Sequence, residues 1–143
     1  MDSRRIVQAG LIAGVLLNLF GWLGNAFLLR EAWREAVPRA PLAQREKTEV
    51  LRHSLVSLIP DFVYGIALAW LYVAVQPRLK PGMGTAMKAA LLIWAVGVMT
   101  TYVGIANSGL LPAKLSMATS LLALVSFLPA AWVVHRFSNY KSG

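Results

Sequence analysis

Four apolar stretches, near residues 6–29, 54–75, 87–106 and 115–137, take up most of this chain and leave few folds open to it. Each supplies the roughly 20 residues that a helix needs to cross the hydrocarbon of a bilayer. Lipid offers backbone amides no water, so spanning segments must be helices or closed barrels. The apolar runs are continuous and not alternating, which excludes a barrel. We therefore expect one all-α domain over residues 1–143, a four-transmembrane-helix bundle with an amphipathic or helical loop between helices 1 and 2. A charged fraction of 14%, against roughly 25% in ordinary soluble domains, fits that reading.

The first stretch follows Arg4 and Arg5 and ends near Gly24-Asn25-Ala26, which looks like a small-residue cleavage site, so it has features of a signal peptide. We expect it to be the first transmembrane helix instead. Ser3-Arg4-Arg5 opens like a twin-arginine signal, but Val7 and Gln8 do not continue that pattern. The lack of cysteine removes disulfides, thiolate metal sites, iron–sulfur clusters and cysteine nucleophiles together. The net charge of +8 lies in loops and tails beside the spans. It reads as attraction to anionic lipid headgroups, about 1 kcal/mol per cation, and not as a nucleic-acid footprint. Arg4, Arg5, Arg78, Lys80, Lys88, Arg136 and Lys141 fall on one side of the membrane, and Arg30, Arg34, Arg39, Arg45, Lys47, Arg52 and Lys114 on the other. That tie is broken by Glu31, Glu35, Glu46 and Glu49 on the second side, which favours cytoplasmic termini.

The longest connection is residues 30–53. Arg and Glu alternate around Trp33, as in a helix end lying at the interface, before Pro38 and Pro41 break the pattern. Arg45 and Glu49 then stand four apart, the spacing of a solvated helix. The connection is expected to be either a cap over one mouth of the bundle or a plain polar linker. In residues 76–88, Pro77 and Pro81 stop helix 2, Gly82 and Gly84 permit a turn, and Thr85 is placed to cap helix 3. No strand precedes these glycines, so a phosphate-binding loop is not expected.

Polar groups inside the spans carry whatever chemistry the chain has. Gly10, Gly14, Asn18, Gly21 and Asn25 recur at steps of three and four, on one face of helix 1. Gly10, Gly14 and Gly21 are expected to form a helix-packing face, against helix 2 or against another chain. In helix 2, Asp61 follows Pro60, with Ser57 and Tyr64 on its face. Counted at about 1.5 Å per residue from the side of the long connection, Asp61 lies roughly 10 Å deep, level with Gly21. Thr100, Thr101, Thr119 and Ser120 lie roughly 6–9 Å deep on the same count. Turned inward, Asp61, Asn18, Asn25, Ser57, Tyr64, Thr100, Thr101 and Thr119 would line a polar pocket in one half of the membrane. The other half holds almost no polar residue, Ser126 excepted, and reads as an apolar plug.

A carboxylate in the bilayer costs several kcal/mol unless it faces protein or water or is protonated, so Asp61 is expected to point into that pocket and could exchange protons with a ligand. Pro60 cannot donate to the Val56 carbonyl, and a bend is expected there. Two plainer readings stand beside this one. Asp61 could be an interfacial residue in a first turn, favoured by the helix dipole, or a hydrogen-bond hub joining helices 1, 2 and 3.

His53 and His135 fall on opposite sides of the membrane, so they cannot share a metal or a haem, and each reads as solvated at headgroup level. Trp22, Trp70, Trp94 and Trp132 read as packing or lipid-facing anchors. Catalysis would need a nucleophile with a base, or paired carboxylates, and Asp61 has neither beside it, with Tyr64 and Tyr102 as the proton donors at hand. No catalytic residue, metal or cofactor is expected.

The opening RRIVQAGLIAGVLLNLFGWLGNAFLL and the later WLYVAVQPRLKPGMGTA resemble a loose group of bacterial four-helix membrane proteins, in which a Trp-Leu-Tyr run precedes Pro-Arg and Pro-Gly before helix 3. The resemblance implies a bacterial cytoplasmic membrane and no particular activity. The function expected first is that of a non-enzymatic membrane protein assembling with itself or with other membrane chains as an accessory subunit. The alternative is a small proton-coupled transporter or ligand-binding protein using Asp61. Small multidrug transporters share that architecture, though their membrane carboxylate stands in the first helix.

Overall fold

The structure, a computed structural model, describes residues 3–36 and 47–139, with side chains at 3–36, 52 and 55–138. Among these residues there are five helices and no strand: α1 (Ser3–Phe27), α2 (Arg30–Ala36), α3 (Lys47–Val75), α4 (Met83–Asn107) and α5 (Ala113–Asn139). All but α2 are long and apolar enough to cross a membrane, α3 through Leu55–Val75. Their outer faces leave Leu11, Val15, Trp22, Val63, Trp70, Val96 and Trp132 exposed. Water would not tolerate apolar surface at that density, and lipid does. The protein is an all-α four-helix membrane bundle.

The helices overrun the apolar stretches at several ends. Residues 47–52, KTEVLR, are charged but good helix formers, so α3 begins well before the apolar run near residue 54. The Arg45–Glu49 pairing expected from spacing, and the side chain of His53, lie outside the described residues. Thr85 does not cap helix α4. Gly82 holds the capping position, and the Thr85 hydroxyl sits inside the first turn and donates to the Lys80 carbonyl at 2.7 Å, fastening the preceding turn. Between α4 and α5, Gly109 adopts φ +73°, a left-handed conformation that favours glycine.

α1 lies between α3 and α5, and α4 closes the bundle against α5. The α1–α3 contact is glycine on glycine. A Cβ on Gly10 would sit 2.5 Å from the Ile66 Cα, one on Gly14 2.8 Å from the Phe62 Cα, and one on Gly65 would strike the Gly10 carbonyl. Gly10 and Gly14 thus use their face on a helix of the same chain. The plug half is built from small side chains, Ala9, Ala13, Ala69, Ala86, Ala130 and Ala131, buried around Leu68, Tyr72, Phe127 and Val134. Without a hydrophobic drive between helices in lipid, close backbone approach and dispersion contacts hold such an interface.

The plug is less apolar than its sequence suggests. Buried Tyr72 places its hydroxyl 3.0 Å from His135 Nδ1, with the two rings edge to face. Gln76 Nε2 donates to Ser138 Oγ at 3.3 Å one turn further on. His135 is therefore an α3–α5 fastener, half-buried, and not a solvated headgroup-level residue. Arg136 lies over Trp132, its Cζ 5.7 Å from the ring centroid, as an interfacial anchor at the end of α5.

Candidate functional site

The register of α1 on α3 fixes where Asp61 stands. Asn18 Nδ2 donates to the Leu58 carbonyl at 3.3 Å, Gly14 faces Asp61 and Phe62, and Gly10 faces Ile66. Asp61 is therefore level with Gly14 and Val15, not with Gly21, and lies at the midpoint of α3. The apolar span of α3 begins at Leu55, roughly 9 Å from Asp61, in line with the count along that helix, so the difference lies in how α1 is offset against α3. A first-turn Asp61 is excluded, because the helix runs back to Lys47. Asn18 donates to the Leu58 carbonyl, which ties α1 to α3 in the turn that holds Pro60; the carbonyl that Pro60 leaves without its helical donor is that of Val56.

Above the plug, between α1, α3, the second half of α4 and the first half of α5, lies a cavity of about 820 Å³. Asp61, Asn18, Asn25, Ser57, Tyr64, Thr101 and Thr119 all line it. Thr100 does not. Its neighbour Thr101 faces inward, and the Thr100 hydroxyl donates to the Ala95 carbonyl at 3.0 Å on the outer side. Gly21 also departs from expectation: it lines the cavity, and a Cβ there would meet nothing within 4 Å, so it packs against no helix. Ser120, counted at the depth of Thr119, is buried in the helix packing and is not part of the wall. The cavity reaches deeper than the polar count implied, to Val98, Ser126 and Phe127.

Three further features shape the wall, of which the first, a helical connection over the mouth, was expected from the sequence and the other two were not. The first is the short helix α2, whose Arg30 and Trp33 close over the mouth; Trp33 Nε1 donates to Asn25 Oδ1 at 2.8 Å, and Asn25 Nδ2 donates to the Gly21 carbonyl at 2.8 Å. The second is a wide π-helical stretch in α4, Trp94–Met99. Such stretches recur at functional sites. It is pinned to α5 by the Trp94 indole, which donates to the Ser120 carbonyl at 2.7 Å, and Thr101 Oγ1 donates to the Gly97 carbonyl at 2.7 Å.

The third feature is a parting of helices. α3 packs on α4 along Met83–Ile93, but among the described residues no Cα of α3 lies within 8 Å of one in Trp94–Asn107. The Tyr64 ring bridges the narrow end of this gap, reaching Gly97, where a Cβ would stand 2.7 Å from its edge, and it packs at 6.4 Å from the Phe127 ring. Beyond Tyr64, Ser57, Leu58 and Asp61 of α3 and Thr101, Tyr102 and Ile105 of α4 line the cavity on either side of this parting.

The Asp61 carboxylate is half-buried in this space and, among the described residues, accepts no hydrogen bond and forms no ion pair. A hub joining three helices would be bonded to them. No cluster of three His, Asp or Glu side chains stands near it among the described residues, so the chain does not present a metal-binding set there. What the arrangement offers is one uncompensated acid inside a membrane, in a cavity of the size that small-molecule sites have.

Fold and site together define a four-helix membrane protein with a carboxylate cavity at mid-helix depth. In comparisons with known proteins, no family model, no curated protein and no solved structure matches the chain.

Proposed function

We propose that the protein is an integral membrane protein that binds a small molecule at Asp61, in the cavity between its four spans. The observation that carries this reading is the Asp61 carboxylate, without a partner among the described residues, in the wall of a cavity of about 820 Å³. Proteins do not keep such a group for stability, because an unpaired acid in a low-dielectric interior is costly. A role as an assembly subunit has less support, since Gly10 and Gly14, the face best suited to another chain, are covered by α3. The cationic loops suit anionic headgroups, and the loop motifs and the glutamates of residues 30–53 favour a bacterial cytoplasmic membrane with cytoplasmic termini.

Gly21 supplies the test. A Cβ there would meet nothing within 4 Å and stands on the cavity wall roughly 10 Å along α1 from the level of Asp61, so Gly21→Phe should take up part of the cavity and leave the bundle folded. Wild type and Gly21→Phe released from host membranes in mild detergent would be compared by native mass spectrometry and thermal unfolding. We expect a small-molecule adduct on the wild type that is depleted on Gly21→Phe, at equal or higher unfolding temperature. Identical spectra carrying a stoichiometric second protein would favour assembly instead.

A further inference from the structure

We infer that the ligand is an amphipathic amine, a protonated ammonium on an apolar body, which reaches Asp61 from the lipid side between α3 and the Trp94–Asn107 half of α4. The inference rests on the cavity being a ligand site and adds the chemistry of what it takes.

The hydrogen-bonding capacity of the wall is lopsided. Both amide hydrogens of Asn18 are committed to backbone carbonyls, of Gly14 and Leu58. The hydroxyl hydrogens of Thr101, Thr119 and Ser126 go to the carbonyls of Gly97, Leu115 and Leu122. What these side chains still present is lone pairs: the Asn18 Oδ1, three hydroxyl oxygens and the Asp61 carboxylate. The Tyr64 and Tyr102 hydroxyls can turn either way, and the donors that remain, the Arg30 guanidinium, the Trp22 indole and the second amide hydrogen of Asn25, belong to the mouth end of the wall and not to the level of Asp61. A surface rich in acceptors and poor in donors fits a ligand that only donates, and an ammonium has three donors and no acceptor. Its charge answers the one carboxylate, and the aromatic rings of Tyr64, Tyr102 and Phe127 in the wall suit a cation with an apolar body. An acid would meet repulsion from Asp61.

The route follows from charge and geometry. The aqueous mouth carries Arg30, which repels a cation, and the end of α1 at Phe27 lies roughly 18 Å along the helix from the level of Asp61. The parting of α3 from Trp94–Asn107 carries no cation among the described residues that line the cavity there, and it faces the phase in which an amphipathic amine concentrates. The amine could be free in the membrane or be the ethanolamine headgroup of a lipid.

The experiment uses the full chain in uncharged maltoside micelles and a fluorescent probe set of one shape: naphthylethylamine, naphthylethanol and naphthylacetate. The amine is expected to bind at least about tenfold more tightly than the alcohol, and the acid not at all. Asp61→Asn should weaken the amine about tenfold or more and leave the alcohol unchanged, while Gly21→Phe weakens both. Added phosphatidylethanolamine that displaces the amine would identify the lipid as the source, and no displacement a free amine. Equal binding of amine and alcohol, or amine binding untouched by Asp61→Asn but weakened by Gly21→Phe, would overturn the amine and leave the cavity standing. Probe binding untouched by both Asp61→Asn and Gly21→Phe would overturn the cavity as well.

Discussion

Gly65→Leu is expected to prevent the bundle from forming. A side chain at this position meets backbone, not movable side chains: its Cβ would strike the Gly10 carbonyl and stand 2.5 Å from the Gly14 nitrogen and 2.9 Å from the Gly14 Cα. Relief requires α1 and α3 to part along their length, and in lipid that close approach is what holds them together. Even Gly65→Ala should cost about 1–3 kcal/mol, the usual range for overpacking. Gly21→Ala is the control: nothing lies within 4 Å, and alanine is the better helix former by about 0.5–1 kcal/mol. Thermal unfolding and monodispersity in mild detergent would show Gly65→Leu aggregated, Gly65→Ala weakened and Gly21→Ala equal to or firmer than wild type. A monodisperse Gly65→Leu with wild-type unfolding would mean that α1 and α3 do not meet as described.

Asp61 is expected to behave in the opposite sense, with stability gained on its removal. Its carboxylate is half-buried at the middle of α3 and has no partner among the described residues, so the folded state bears a desolvation cost with nothing to offset it. Asp61→Asn removes the charge in the same shape, and Asp61→Leu also adds apolar surface. We expect unfolding free energies higher by about 1–3 kcal/mol at neutral to alkaline pH, more for Leu than for Asn, with loss of ligand binding in both. Stability and function would then be traded at one residue. If Asp61 instead joined helices 1, 2 and 3 as a hub, Leu would destabilise by a similar amount, and calorimetry or thermal unfolding separates the two by sign.

The fold was legible because hydropathy over some twenty residues answers to one physical cause, the thickness of the hydrocarbon. That Asp61, Asn18, Asn25, Ser57, Tyr64, Thr101 and Thr119 come together was legible in part, since it needs only counting along straight helices. The details failed where the count had no anchor. The level of Asp61 against α1 depended on the offset between the two helices, which a count along each one does not record. Thr100 and Thr101 are about 100° apart on α4, so one of them had to face away, and hydropathy does not say which. Gly14 and Gly21 have the same periodicity and opposite surroundings, backbone for the first and open space for the second. Tyr72 and His135 are 63 residues apart, and their bond depends on how α3 and α5 are rotated, which no local pattern records. The π-helical stretch at Trp94–Met99, and the parting of α3 from α4 beyond it, likewise belong to the assembled bundle.

The absence of native cysteine makes one measurement direct. Single-cysteine variants Asp61→Cys and Thr101→Cys, beside the fully buried Ala69→Cys and Ala130→Cys, would be exposed to iodoacetamide in membranes, because alkylation needs a thiolate in contact with water. We expect Asp61→Cys and Thr101→Cys to be alkylated at least about tenfold faster than the two buried controls, and to be protected by naphthylethylamine in the Thr101→Cys case, where Asp61 is intact. Asp61→Cys reacting as slowly as Ala69→Cys in folded protein would contradict an open cavity at Asp61, and with it a binding site there.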